Sequence, residues 1–585
     1  MVCIENRKRS AMNISELSKR LNDYWQELYP QHSGGVPQDF LEELRPQKGR
    51  WSSSGRKAGW YRDMVVYSLY VDLFNEDLPG LIEKLDYLRD LGVSCIWLLP
   101  ILESPMKDAG FDISDFRSIR RELAGNHPER EPMSIFRRFV GEAHARNLTV
   151  IFDVAINHSS DEHPWFVSAI GDRHSPYRDF YIFSDTDQKY RKARLLFKGM
   201  CGSNWEKRGS GYYFHRFFEI QPDLNYRNPA VLLEMCRILL FWIDNGIDGF
   251  RLDAVPFLWK EEGTNCENLP QTHTLLRFMR AVVDYVCPGT LLLAEACQPP
   301  QDVVQFFGAG DECHAAYHFP LMPQIYHALA KQKRDPILHV LDSSVTPAKP
   351  DGCQWMLFLR CHDELTLEMV SPEEREYINR HYRHEEHWNF REGEGISARL
   401  SELFQRDADR IRLAHSILLT LPGSPSIYFG DEFGMPNNET RYREQIERTG
   451  HSDSRHLCRS PIDWPNVQER LKDPASFESA LFQPLKKMLA VRNGYGVFGR
   501  GELSWVDFVD EEKQIVPEVL AYIRSDGENR ILVIHNLSDR PLRVESKAVE
   551  FPAETVDLLQ QAISLDPSTG LLSLSGRGIH WIRLS

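Results

Sequence analysis

From Met64 onward, strand-length apolar runs alternate with helix-length amphipathic segments, and this rhythm narrows the fold more than any other feature of the chain. Met64 to Val71 reads as a buried strand. Asp77 then caps a helix with Pro79 in its first turn, Leu81, Ile82, Leu85 and Leu88 on one face, and Gly92 at its end. Cys95 to Pro100 is the next strand. The unit recurs: a helix bearing Phe136, Phe139, Val140 and Ala143 precedes the strand Thr149 to Val154, and a helix from Pro229 to Asn245 precedes Asp248 to Asp253. Further strands are expected at Leu291 to Ala296, around Ala315 to Leu321, at Gln354 to Arg360 and at Ser426 to Phe429. Eight strands alternating with helices predict an α/β fold, a closed (β/α)8 TIM barrel. An open doubly wound sheet is the alternative, but no glycine-rich phosphate loop follows the first strand.

The rhythm breaks in three places. Residues 1–58 form a polar leader and linker with one helical segment, in which Leu17, Leu21, Trp25 and Leu28 keep helix spacing; residues 47–57 read as the linker. Residues 158–225, rich in aromatics, Asp and Arg, interrupt the barrel after its third strand and read as a lid subdomain over its mouth. The barrel itself then takes 59–157 and 226–493, and the short alternating strands of 494–585 predict a C-terminal β-sandwich.

A net charge of -15 argues against nucleic acid as the main partner. No apolar run approaches the ~20 residues of a membrane span, and the first residues lack the apolar core of a signal peptide. The 11 cysteines are scattered, as expected of reduced thiols in the cytoplasm. Oligomeric state is left open.

Active sites of such barrels gather at the C-terminal strand ends. There the sequence places Asp112 after strand two, Asn157 and His158 after strand three, and Arg251 and Asp253 at strand four. Glu295 ends strand five, and His362 and Asp363 follow strand seven. In Asp248-Gly249-Phe250-Arg251-Leu252-Asp253, side chains alternate, so Arg251 and Asp253 share one face. Taken alone, that pair reads as a structural ion pair. The full set does not, because each member would cost several kcal/mol to bury without partners. Paired carboxylates suit glycosyl transfer, in which one protonates the leaving oxygen and the other attacks the sugar carbon. Glu295, within an apolar run, should have a raised pKa and serve as the acid; Asp253, beside Arg251, should stay ionised as the nucleophile. Direct attack by water is the alternative route.

Gly249-Phe250-Arg251-Leu252-Asp253, Ala294-Glu295-Ala296, Asp153 through Asn157-His158, and His362-Asp363 resemble the four short motifs of the α-amylase superfamily (glycoside hydrolase family 13) in order and spacing. The likeness covers roughly residues 60 to 585. It implies Asp253 as nucleophile, Glu295 as general acid/base and Asp363 as a third carboxylate gripping sugar hydroxyls, with Asp112, His158, Arg251 and His362 holding the transferred glucosyl unit. Longer stretches, among them Gln221-Pro222-Asp223-Leu224-Asn225-Tyr226 and His362-Asp363-Glu364-Leu365-Thr366, are similar to the trehalose synthase group (maltose α-D-glucosyltransferases). That adds Gln221 as a substrate contact and implies isomerisation of maltose to trehalose in a closed pocket. An α-glucosidase or amylase-type hydrolase, or an amylosucrase-like transferase with another acceptor, is the alternative; so is a non-catalytic amylase-like protein, which would have lost its carboxylates. The loop 437–464, with Asp453, Arg455 and Arg459, is similar to amylosucrases and is expected to border the acceptor site.

The chain departs from the superfamily in several places. Phe111 stands where the family has tyrosine, and Cys361 where it has asparagine. The family's calcium ligands match Asn157, Asp223 and the carbonyls of Phe257 and Leu258, but Lys260 replaces a glutamate. An ammonium there can take the cation's place, so calcium is in question, and no cofactor is expected for the chemistry.

Overall fold

The computed structural model describes residues 13–45, 58–125, 131–209, 211–450, 452–546, 548–549, 551, 556–566 and 570–584. Eight parallel strands close into a barrel: β1 Val66–Leu69, β2 Cys95–Leu98, β3 Thr149–Ala155, β4 Gly249–Asp253, β5 Leu291–Ala294, β6 Ala315–Tyr317, β7 Gln354–Phe358 and β8 Ser424–Tyr428. Each pairs with its neighbours in sequence, and β8 closes on β1. Both faces of such strands are covered, so the apolar runs are continuous rather than alternating. Three strands are shorter than their runs. The backbone leaves β1 for a helix at Val71–Asn75, β6 stops before Pro320 and the helix Leu321–Lys331, and β7 ends at Phe358 although Leu359 and Arg360 are also buried. Apolar character continues there because these connections are themselves buried.

Local chemistry fixes the elements that aim the site. Asp77 accepts a hydrogen bond from the Gly80 N–H; the helix expected to run on to Gly92 breaks at Lys84 into Leu78–Glu83 and Leu85–Leu91, and Gly92 ends the second with φ 105°, where a side chain would be strained. Asn228 caps the helix Pro229–Asp244 that feeds β4. Gly249 opens β4 because a Cβ there would lie 2.5 Å from Leu291 Cβ. The resulting register sets Asp153 beside Arg251 and Leu293 on its other side.

The segment 158–225 carries a helix, Pro164–Gly171, and a three-stranded sheet of Phe183–Ser184, Gly211–Phe214 and Trp205–Arg208. At the C-terminus, Glu502–Trp505, Val519–Ser525, Arg530–Asn536, Ile579–Arg583 and Val556–Asp557 form one sheet, and Leu542–Val544, Leu572–Leu574 and Ser564–Leu565 a second. Alternation decides the packing. Val519, Ala521 and Ile523 face Val544, Leu572 and Leu574 of the second sheet, whereas Leu520 and Tyr522 join the core continuous with the barrel. Before the barrel, the helix Ile14–Leu28 buries Leu17, Leu21, Trp25 and Leu28 against the helix Pro270–Val286. The expected linker, 47–57, lies outside the described residues. Among the described residues, no two cysteines are joined in a disulfide and no helix is long and apolar enough to cross a membrane.

Candidate active site

A cavity of about 160 Å³ opens at the C-terminal ends of the strands, beneath the inserted segment. Asp253, Glu295, Asp363, His158, Gln221, Arg251 and His362 all line it. Asp112 does not. Its carboxylate turns into its own loop, where it accepts from Ser104 Oγ (3.0 Å) and the N–H groups of Lys107 (2.9 Å) and Asp108 (3.1 Å). Asp108 faces the cavity instead and accepts from Gln221 (3.0 Å) and Arg455 (3.2 Å).

Arg251 is buried and donates from Nη1 to Asp153 Oδ1 (2.6 Å) and Asp253 Oδ1 (2.7 Å), while Trp97 donates to the other Asp153 oxygen. Burial alone would lower the Arg251 pKa, but Asp153 and Asp253 outweigh it and raise it well above its usual value. One residue past Asp253, Ala254 adopts φ 59°. That left-handed turn costs about 1–2 kcal/mol for a residue with a Cβ, and with it the Ala254 N–H donates to Glu295 Oε2 at 3.0 Å. Nucleophile candidate and acid candidate are thus joined through one strained peptide. Burial pushes the Glu295 carboxyl up to about 7; Arg251 opposes the shift and Asp253 adds to it. Asp363 moves the other way: burial opposes ionisation, but His362, Arg455 and Arg459 hold it well below the usual carboxylate range. Arg455 and Arg459 reach its Oδ1 at 3.2 and 2.8 Å.

His362 stacks on Phe111, with ring centroids 5.3 Å apart and planes at 19°. Phe111, at the family's tyrosine position, thus keeps an aromatic ring in the cavity wall. His158 is buried, which lowers its pKa, and its Nε2 has no hydrogen-bond partner among the described residues. A buried, unsatisfied ring nitrogen at a cavity wall suits a ligand hydroxyl.

The expected calcium ligands hold a cation already. The buried Lys260 ammonium lies 2.8 Å from Asp223 Oδ2 and 2.8 Å from Asn157 Oδ1, and 3.4 Å from the Leu224 carbonyl. Phe257 and Leu258 lie in the turn after β4. A calcium ion would have to share these oxygens with an ammonium, so the residues present do not fit the metal. Lys260→Ala is expected to cost about 3–5 kcal/mol, because it strands Asp223 in the interior. Melting with and without calcium checks this: the ion should restore part of the loss in the variant and leave the parent unchanged.

Sequence reasoning missed a belt of charges around the mouth. Arg194 of the inserted segment donates to Glu267 (2.9 Å) and to Glu368, and Arg391 reaches Glu368 (3.0 Å) and Glu364 (3.5 Å). Lys198 pairs with Glu394 at 3.0 Å. The belt ties the segment to the loops after β4 and β7. These residues sit in polar loops without periodicity, and Arg194 and Glu368 are 174 positions apart; only Glu364, next to Asp363, carried a local signal. Arg455 and Arg459 stood out as loop residues, but their grip on Asp363 was not legible.

Residues 52–472 match the α-amylase catalytic domain family. The chain is 39% identical to the trehalose synthase of Pimelobacter sp. (strain R48) over 577 residues, spanning 91% of this chain and 97% of that protein. It is 39% identical to the trehalose synthase/amylase TreS of Mycobacterium tuberculosis, with 90% of each covered. Among solved structures, isomaltulose synthase from Klebsiella sp. LX3 superposes with a TM-score of 0.66 at 25% identity, over 90% of this chain and 99% of that one. The α-amylase from H. orenii gives 0.68 at 23%, over 89% and 99%. With its barrel, its carboxylates at the strand ends and these matches along most of its length, the chain belongs to the α-amylase family.

Proposed function

We propose that the chain is a retaining α-glucosyl transferase that isomerises maltose to trehalose inside a closed pocket. The observation that carries this reading is the division of labour between two carboxyls in one cavity. Glu295 is held protonated toward neutral pH by burial, and Asp253 sits 2.7 Å from a buried guanidinium. Asp253 attacks the anomeric carbon of the non-reducing glucosyl unit while Glu295 gives its proton to the leaving O4. The bond to O4 breaks and a covalent glucosyl-Asp253 forms. The freed glucose turns within the pocket and presents its anomeric hydroxyl. Glu295 takes that proton, the oxygen attacks the same carbon, and the bond to Asp253 breaks to give trehalose. Asp363, His158, His362 and Arg251 hold the glucosyl unit throughout. Similarity to the trehalose synthase of Pimelobacter sp. over nearly its whole length supports this acceptor. The scattered cysteines, with no CxxC pair, support the cytoplasm as the compartment, and the Lys260 ammonium supports a calcium-independent enzyme.

Incubation with maltose, following trehalose and glucose over time, tests the proposal. Trehalose should dominate, with the same rate in a chelator. Glucose alone would overturn the isomerase reading.

Water at the glucosylated carbon gives hydrolysis, so the mouth must stay shut during the turn. Arg194→Ala cuts the links from the inserted segment to Glu267 and Glu368. The expected outcome is a rise of about threefold in the glucose share of products, because water gains entry, measured by the same time course.

A further inference from the structure

The N-terminal helix Ile14–Leu28 precedes the residues matched by the catalytic-domain family, yet it ends against the root of the inserted segment. That root has two strands of chain. The entering one, at Ile156 to His158, and the leaving one, at Asp223 to Tyr226, are stitched together by the Leu224 N–H donating to the Asn157 carbonyl (2.8 Å) and by a bridge between His158 and Asp223. The Tyr226 hydroxyl donates to the Ile156 carbonyl (2.7 Å), so one side chain spans both strands from outside the cavity.

Tyr29, just past the N-terminal helix and fully buried, completes the series: its hydroxyl donates to the Tyr226 carbonyl at 2.9 Å. Its ring also lies 6.4 Å from that of Trp259, over which the Arg227 guanidinium sits at 5.5 Å. Trp259 precedes Lys260, the residue that holds Asn157, Leu224 and Asp223. Lysine and tyrosine thus clamp the same two strands. The helix is well anchored for this. A capping box at Asn13 and Glu16 starts it, Trp25 packs 4.9 Å from Tyr29, and Arg20 and Glu27 bond to Asp311 (3.3 Å) and Thr274 (2.5 Å) on the barrel. The later helix Gln38–Leu44 is tied separately, through Glu43 to Arg237.

We infer that the N-terminal arm is a brace for the inserted segment, with Tyr29 and Tyr226 as positioning residues that keep the lid seated and so set the balance of isomerisation against hydrolysis. The effect on product balance rests on the function proposed above; the effect on the lid does not. Each hydroxyl can be removed while its ring stays in place, so Tyr29→Phe and Tyr226→Phe of the full chain isolate the two hydrogen bonds. Removing either should speed backbone hydrogen exchange in 158–225 by about fivefold, the factor expected for one net hydrogen bond. The glucose share of products should rise with it. Arg237→Ala, which loosens the arm away from the root, is the comparison and should change neither readout.

Unchanged exchange in both tyrosine variants would overturn the brace. So would an equal increase in Arg237→Ala, since general loosening would then explain the effect. A parent protein that makes no trehalose would sink the isomerase reading alone, and the exchange comparison would still decide the brace.

Discussion

Asp253→Asn loses maltose turnover by about ten-thousand-fold or more, the scale expected when an activated nucleophile is removed. The amide keeps the shape of the carboxylate, but it cannot form the glucosyl ester. The fold should persist, because Arg251 keeps its 2.6 Å bond to Asp153 and the Trp97 indole still holds the other Asp153 oxygen. Melting should shift by no more than about 4 °C. Wild-type-like turnover in this variant would remove Asp253 from the mechanism.

Glu295→Gln is expected to lose maltose turnover by about a thousand-fold, within the usual range for a positioned acid/base. The loss should depend on the leaving group. Fluoride departs without a proton, so α-glucosyl fluoride should still glucosylate Asp253 in the variant, and the covalent intermediate should accumulate because no base remains to activate the acceptor. Mass spectrometry of the intact protein reads this directly. The same residue fixes the alkaline side of the pH profile. The acid form is the competent one for the first step, and burial raises its pKa to about 7, so kcat/KM should hold at acidic pH and fall as pH rises through about 7. An alkaline limb far above that value would assign the proton to another group.

Much of this was legible in the chain because charges stand out against apolar strands. Asp253 and Glu295 interrupt or end runs that are buried on both faces, and such residues demand partners. Helix starts at Asp77 and Pro229 were legible for a local reason: the Asp77 side chain satisfies an N–H group of the first turn, and proline fits the first helical position, whose N–H has no partner. Strand ends were less so, since the chain past β6 and β7 is as buried as the strands themselves. Asp112 shows a further limit. Its place after the second strand was visible, but the orientation of its carboxylate depends on how the turn from Ser104 to Asp108 folds back. The belt of Arg194, Glu368 and Arg391 and the Tyr29 contact with Tyr226 join segments far apart in sequence, with no periodicity to betray them.

In closed-pocket transfer, the glucose released from maltose never leaves the pocket before it is joined again. Maltose is supplied unlabelled together with an excess of carbon-13 glucose, and the mass of the trehalose formed is measured early in the reaction. Trehalose free of label is the predicted result. Trehalose carrying label in one ring at the proportion present in solution would show exchange with bulk glucose and would contradict closed-pocket transfer.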